Sequence, residues 1–347
     1  MMPKLKRLNT YRLLNIPVML MTVGVVGCSN GNQTRETTTT SSKPEVVASN
    51  SILCDLTQQI AQDTVELTCL MEREQDPHTY NMTPSARKAM ETAALILYSG
   101  YKLAPGIEGV VEAMDTTAPK IAVYEEAVPE PILAGHHHHH EGEKHDHEEE
   151  NKHQGEEKVA NTEGLEPDPH VWHNVQNGVA IVEVIEAQLA QFNSEQAQLY
   201  AENSEQLKEQ LGKLDVWVKQ QVATIPAAQR TLVTTHDAFN YYIQAYGFEN
   251  SGALQGVSTE EKPTAARVKE LVANVQANQV PTIFAEATAN NQVIGTVARE
   301  AGVKISEQKL LTGALGAEGS GSGTYIGMIT TNTCTIVNGL GGKCTPF

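Results

Sequence analysis

Positive charge is scarce in this chain of 347 residues: 25 Lys and Arg face 42 Asp and Glu, a formal net charge of −17. Phosphate backbones are gripped by clustered Lys and Arg, so the deficit argues against nucleic acid as a partner. Cysteine is also rare, with five residues and no CxxC spacing, which leaves a zinc–cysteine site without support. No HExxH helix occurs, and no GxSxG stands at the elbow between a strand-like and a helical run, so the common hydrolase signatures are missing. Histidine is sparse outside one tract, for eight of the 12 lie between His136 and His153, leaving His78, His170, His173 and His236. What is present is a 40% hydrophobic composition, which excludes a collagen-like or wholly disordered chain. The length suggests two domains.

Residues 1–12 carry Lys4, Lys6, Arg7 and Arg12 with no acid, and residues 13–27 are mostly apolar. A charged start before an apolar run too short for a comfortable membrane span predicts an export signal, 1–28. It ends Val25-Val26-Gly27-Cys28, similar to the lipobox of bacterial lipoproteins, which implies cleavage before Cys28 and its lipidation. Residues 29–44 hold no large apolar side chain and read as a flexible tether. The four remaining cysteines, even in number in an exported chain, favour disulfides. Three connectivities are open, and the shortest loops pair Cys54 with Cys69 and Cys334 with Cys344.

From Pro44 onward, short β-type runs alternate with helical patterns. Strands are predicted at 45–48, 65–70, 94–98 and 120–124, with helices over 52–61 and from the Thr83-Pro84 cap to about 93. A second set has strands at 231–235, 253–257 and 282–286. Its helices are 237–246, one opened by Pro263, 290–301 and about 324–340. This rhythm predicts an α/β protein with two lobes, 45–192 and 225–347, each a parallel-type sheet flanked by helices. Between them, a capping box at Asn193 and Gln196 opens a helix over 193–224, with Leu207, Leu211, Leu214 and Val218 in one stripe. At 1.5 Å per residue it would be roughly 45 Å long, a rigid rod joining both lobes.

The segment 135–158 holds eight His and eight Asp or Glu without a large apolar residue, so it reads as a solvated loop. Its His136, His137, His138, His139, His140, His145, His147 and His153 suit weak, unselective binding of several ions, an accessory to a principal site. That principal site is sought among the other histidines. His78 and His170 each stand in an Asp-Pro-His turn (Asp76-Pro77-His78 and Asp168-Pro169-His170), and His236 follows the strand 231–235. Ligand sites in open α/β sheets form outside the carboxyl ends of strands, where His78 and His236 fall, one from each lobe. Three converging imidazoles would make a tetrahedral zinc site short of one ligand.

These motifs carry a resemblance. Asp76-Pro77-His78 with Pro84-Ser85, Asp168-Pro169-His170-Val171-Trp172, 236–242 (HDAFNYY) and Phe284-Ala285-Glu286 resemble the zinc- and manganese-binding receptors of bacterial ABC transporters, the cluster A-I solute-binding proteins, in their zinc-binding (ZnuA-like) form. The resemblance implies two α/β lobes joined by a rigid helix, a monomer, Zn(II) as transported ligand, a membrane permease as partner, and no enzymatic activity. It implies His78, His170 and His236 as ligands. In many members an aspartate stands where this chain has Gly313, so the fourth position falls to water, Glu286, Glu74 or a loop histidine. Glu286 could equally act behind the ligands. His173 reads as a surface or supporting histidine. The competing readings are a zinc hydrolase using the three-His site with bound water and a metal-binding surface adhesin, a role described for some members.

Overall fold

The structure is a computed structural model that describes residues 43–135, 165–248 and 250–347. The export signal with Cys28, nearly all of the tether and the histidine tract lie outside the described residues.

In the first lobe, strands β1 (Glu45–Ala48), β2 (Glu66–Cys69), β3 (Leu95–Tyr98) and β4 (Lys120–Ala122) form one sheet in the order β2-β1-β3-β4, every pair parallel. The connections are helical, as parallel pairing requires. Helix α1 (Ser51–Ala61) starts on Asn50, whose side chain accepts from the amides of Ile52 and Leu53. Helix α2 (Pro84–Thr92) starts on Thr83 with Pro84 in its first turn, as the sequence predicted. Helix α3 (Pro105–Ala113) follows β3. The run 120–124 is strand only to Ala122, because Val123 and Tyr124 turn inward to begin α4 (Val123–Ala127) as buried core. A short antiparallel hairpin of β5 (Leu133–Gly135) and β6 (Leu165–Pro167) brackets the histidine tract.

Two long antiparallel helices follow. Helix α5 (Val175–Phe192) was not anticipated, although its buried residues Val175, Gly178, Ile181, Val182, Ile185 and Leu189 keep helical spacing. Asn193 closes α5, its amide donating to the Leu189 carbonyl, so the expected capping box is absent. The rod is α6 (Ala197–Val222), 26 residues and about 39 Å long. Its stripe of Leu207, Leu211, Leu214 and Val218 is buried.

The second lobe contains β7 (Thr231–Thr234) parallel to β8 (Asn250–Ala253) and β9 (Thr282–Ile283) parallel to β10 (Lys304–Ile305). The amide of Phe284 donates to the Val233 carbonyl, which sets β9 beside β7. Strand β8 lies before the predicted 253–257, and 282–286 pairs as a strand only over Thr282–Ile283, with Glu286 bridging Leu310. Helices α7 (Asn240–Tyr246), α8 (Ala265–Ala277), α9 (Gln292–Ala301) and α10 (Tyr325–Gly339) complete the lobe. Gly247 and Gly302, just past α7 and α9, have φ of +74° and +73°, the left-handed turn that ends a helix. One hydrophobic cluster runs from Ile52 and Leu53 through α5 and α6 to Tyr325 and Ile336. The lobes therefore share a core, which opposes large hinge motion.

Cys54 is bonded to Cys69, tying α1 to β2, and Cys334 to Cys344, tying α10 to the C-terminal tail. The first closes a span of 15 residues, so replacing both Cys54 and Cys69 with serine should cost about 3 kcal/mol, read by denaturant unfolding. An unchanged unfolding midpoint would show that this bond does not constrain the chain.

Candidate metal centre

Each Asp-Pro-His turn folds the same way. The Asp76 carboxylate accepts the His78 amide at 3.1 Å, and Asp168 accepts that of His170 at 2.9 Å. Proline between them fixes φ, so both histidines leave the backbone in a restricted direction. His236 is placed by the end of β7, where its amide donates to Glu286 Oε1 at 2.9 Å and the Thr235 amide to the same oxygen at 2.8 Å. Because the His236 carbonyl already accepts from the Thr234 hydroxyl and the Ala238 amide, it does not open a helix, and the one expected from 237 begins only at Asn240.

The three rings meet. His170 Nε2 lies 3.2 Å from His78 Nε2 and 3.3 Å from His236 Nε2. Their ligand nitrogens fall within 4.8 Å of one another, and all three residues are buried. Four nitrogens around a tetrahedral zinc, each 2.0–2.1 Å away, would be separated by about 3.3–3.4 Å. The opposite ring nitrogens are held by carboxylates: His170 Nδ1 by Asp168 at 2.9 Å and His236 Nδ1 by Glu286 Oε2. A neutral imidazole that donates through Nδ1 leaves Nε2 bare, so two lone pairs face each other across the cluster. A cation between them removes that repulsion.

Burial lowers His78 and His170 well below the usual imidazole range, and the neighbouring imidazoles add to it. Burial acts the same way on His236, but the charge and hydrogen bond of Glu286, with Asp76 and Asp237, leave that ring raised. Asp168 is pushed up to about 6 by burial, against its bonds from the His170 amide and Asn240. Two histidines thus stand ready as neutral donors, whereas the third has to lose a proton more often.

Of the other expected residues, Glu286 is fully buried behind His236 and lies outside the group of converging ligand atoms. Glu74 is exposed, and its amide donates to the Leu315 carbonyl. His173 is fully buried rather than on the surface: Nε2 meets the Thr312 carbonyl at 3.2 Å, and the ring stacks on Phe239 at 4.4 Å. Gly313 packs on the Asp-Pro-His turn, where a Cβ would come within 2.6 Å of Pro77 Cδ. Sequence reasoning gave no role to Asp168 or Asn240, although Asn240 donates to the second Asp168 oxygen at 3.0 Å. The signal was present, since both copies of the motif place an aspartate, Asp76 or Asp168, two residues before a candidate ligand.

Fold and site define a two-lobed metal-binding protein. The family model for the zinc-uptake complex component A, periplasmic (ZnuA), matches residues 46–339, and the chain belongs to that family. It is the extracytoplasmic substrate-binding component of an ABC metal transporter, a solute-binding protein and not an enzyme. The chain is 31% identical to the manganese-binding lipoprotein MntA of Bacillus subtilis (strain 168), over 93% of this chain and 97% of that one. It is 29% identical to the manganese ABC transporter substrate-binding lipoprotein PsaA of Streptococcus anginosus, over 97% and 99%. The periplasmic zinc-binding protein TroA from Treponema pallidum superposes with a TM-score of 0.73 at 30% identity, covering 86% of this chain and 99% of that one. Among the described residues, no helix is long and apolar enough to cross a membrane.

Proposed function

We propose that the chain captures Zn²⁺ through His78, His170 and His236, while anchored by lipid at Cys28, and delivers it to its permease. The observation that carries this reading is the donor set: three imidazole nitrogens converge, and no carboxylate among the described residues joins them. Nitrogen donors suit zinc and the later transition metals, whereas manganese favours carboxylate, carbonyl and water oxygens. The two carboxylates nearby act through the rings, fixing their tautomer and raising their basicity. A fourth position then falls to water, and the histidine tract at 136–153 serves as an accessory that gathers ions weakly. Relatives named for lipoproteins support the anchor. Those same relatives, named for manganese, make Mn²⁺ the competing cargo.

Competition between the two ions decides. Calorimetric titration of the chain with 135–158 removed is expected to give one tight zinc site, retained in the presence of excess Mn²⁺. Displacement of zinc by manganese would overturn the zinc assignment. Loss of the tight site on removing the tract would overturn the assignment of His78, His170 and His236.

A further inference from the structure

All three converging histidines are touched, at one remove, by a single peptide that none of them belongs to. Thr312 and Gly313 lie in the buried segment 310–315, between β10 and α10. The Thr312 hydroxyl donates to Glu286 Oε2 at 3.4 Å, the oxygen that also holds His236 Nδ1. The Thr312 carbonyl accepts from Trp172 Nε1 and from His173 Nε2, both at 3.2 Å, in the turn that follows His170. Gly313 presses on Pro77, the residue before His78, so closely that a Cβ would meet its ring at 2.6 and 2.9 Å. A proline locked between Asp76 and His78 cannot swing aside without carrying His78 with it.

The peptide is itself clamped in both lobes. Asn332 of α10 holds Leu311 from both sides, accepting its amide at 2.9 Å and donating to its carbonyl at 2.7 Å. On the other side, the Leu315 amide donates to Ser51 Oγ at 3.0 Å, and its carbonyl accepts the Glu74 amide at 3.1 Å. A strap fixed at both ends can transmit a fixed spacing; a free loop could not.

We infer that Thr312-Gly313 is the positioning element that sets the separations of His78, His170 and His236, acting through Pro77, the Trp172–His173 turn and Glu286. The inference rests on the proposal that these three histidines bind the metal. It makes Thr312 and Gly313 positioning residues: neither supplies a ligand, and both govern how well three ligands fit one ion.

Full-length mature protein carrying Gly313→Ala, Thr312→Val or Thr312→Ser tests this. Zinc affinity is measured by competition with a chromophoric chelator, ligand geometry by the visible absorption of the Co²⁺-loaded protein, and folding by the melting of the metal-free protein. Gly313→Ala and Thr312→Val should each weaken zinc by about tenfold, the range seen when support behind a ligand is lost, and should alter the Co²⁺ spectrum. Thr312→Ser, which restores the hydroxyl, should return both towards wild type. A merely structural role would lower melting and leave the Co²⁺ spectrum of the folded fraction unchanged, which overturns the inference. Wild-type affinity and spectrum in both variants would also overturn it, as would a serine variant no better than valine. If Gly313→Ala does not fold, the Thr312 pair still decides. Failure of the underlying reading is separate, because it would appear as zinc binding indifferent to the histidines themselves.

Discussion

His170→Ala should eliminate the tight zinc site while leaving a folded protein. Among the three rings His170 is the common neighbour, with its Nε2 at 3.2 and 3.3 Å from the other two. Zinc sites of four ligands bind with about 10–16 kcal/mol, so each ligand carries about 3–4 kcal/mol, or roughly two to three decades in Kd. Folding should survive, because Asp168 keeps the residue-170 amide and Asn240 as donors after the ring has gone. The walls of the space are also held independently: Trp172 remains bonded to Thr312, and the Tyr325 hydroxyl to the Trp172 carbonyl. Calorimetry and chelator competition measure the loss, and the melting of the metal-free protein provides the control. Tight binding that survives the substitution would remove His170 from the ligand set.

Much of the site was legible because part of its geometry is local. An Asp-Pro-His turn needs only three consecutive residues, and both copies fold by the same carboxylate-to-amide bond. The convergence itself is not local: His78 and His170 stand 92 positions apart, and His170 and His236 66. Before the fold was known they were joined by the strand-end positions of His78 and His236, the repeated Asp-Pro-His turn and the family resemblance. The missed features depend on tertiary contacts. Helix α5 contains Gly178 and many β-branched residues, which weaken a helix in isolation. Its glycine is there because a Cβ would meet the Tyr325 hydroxyl at 2.4 Å, a contact made with α10 in the other lobe. Likewise, His173 differs little in sequence context from a surface histidine. Its burial follows from Thr312, 139 residues away, and from Phe239. The start expected at 237 was misplaced for a related reason, since the His236 carbonyl that would have opened a helix is taken by the Thr234 hydroxyl and the Ala238 amide.

Glu286 should prove the most sensitive residue outside the ligand set, and its two substitutions should fail differently. Its fully buried carboxylate accepts from the amides of Thr235 and His236, from His236 Nδ1 and from the Thr312 hydroxyl. Glu286→Ala strands two amides and a ring N–H in a dry environment. At about 1–3 kcal/mol for each orphaned donor, a loss of about 3–9 kcal/mol in unfolding free energy is expected. Glu286→Gln keeps the shape and still offers one acceptor, but removes the charge that raises His236. At neutral pH the less basic ring should bind zinc about 10–100-fold more weakly. The acid limit should move in the opposite sense. In the wild type, protons compete with zinc first at His236, because that ring is raised while His78 and His170 are lowered. Without the carboxylate, His236 loses its strongest support, burial outweighs what Asp76 and Asp237 still supply, and the ring is lowered, so the remaining affinity should persist to a lower pH than in the wild type. Zinc titrations across pH 5–8, roughly the imidazole range, read both changes at once. Weaker binding with an unmoved acid midpoint would mean that Glu286 supports the fold around His236 without tuning its proton.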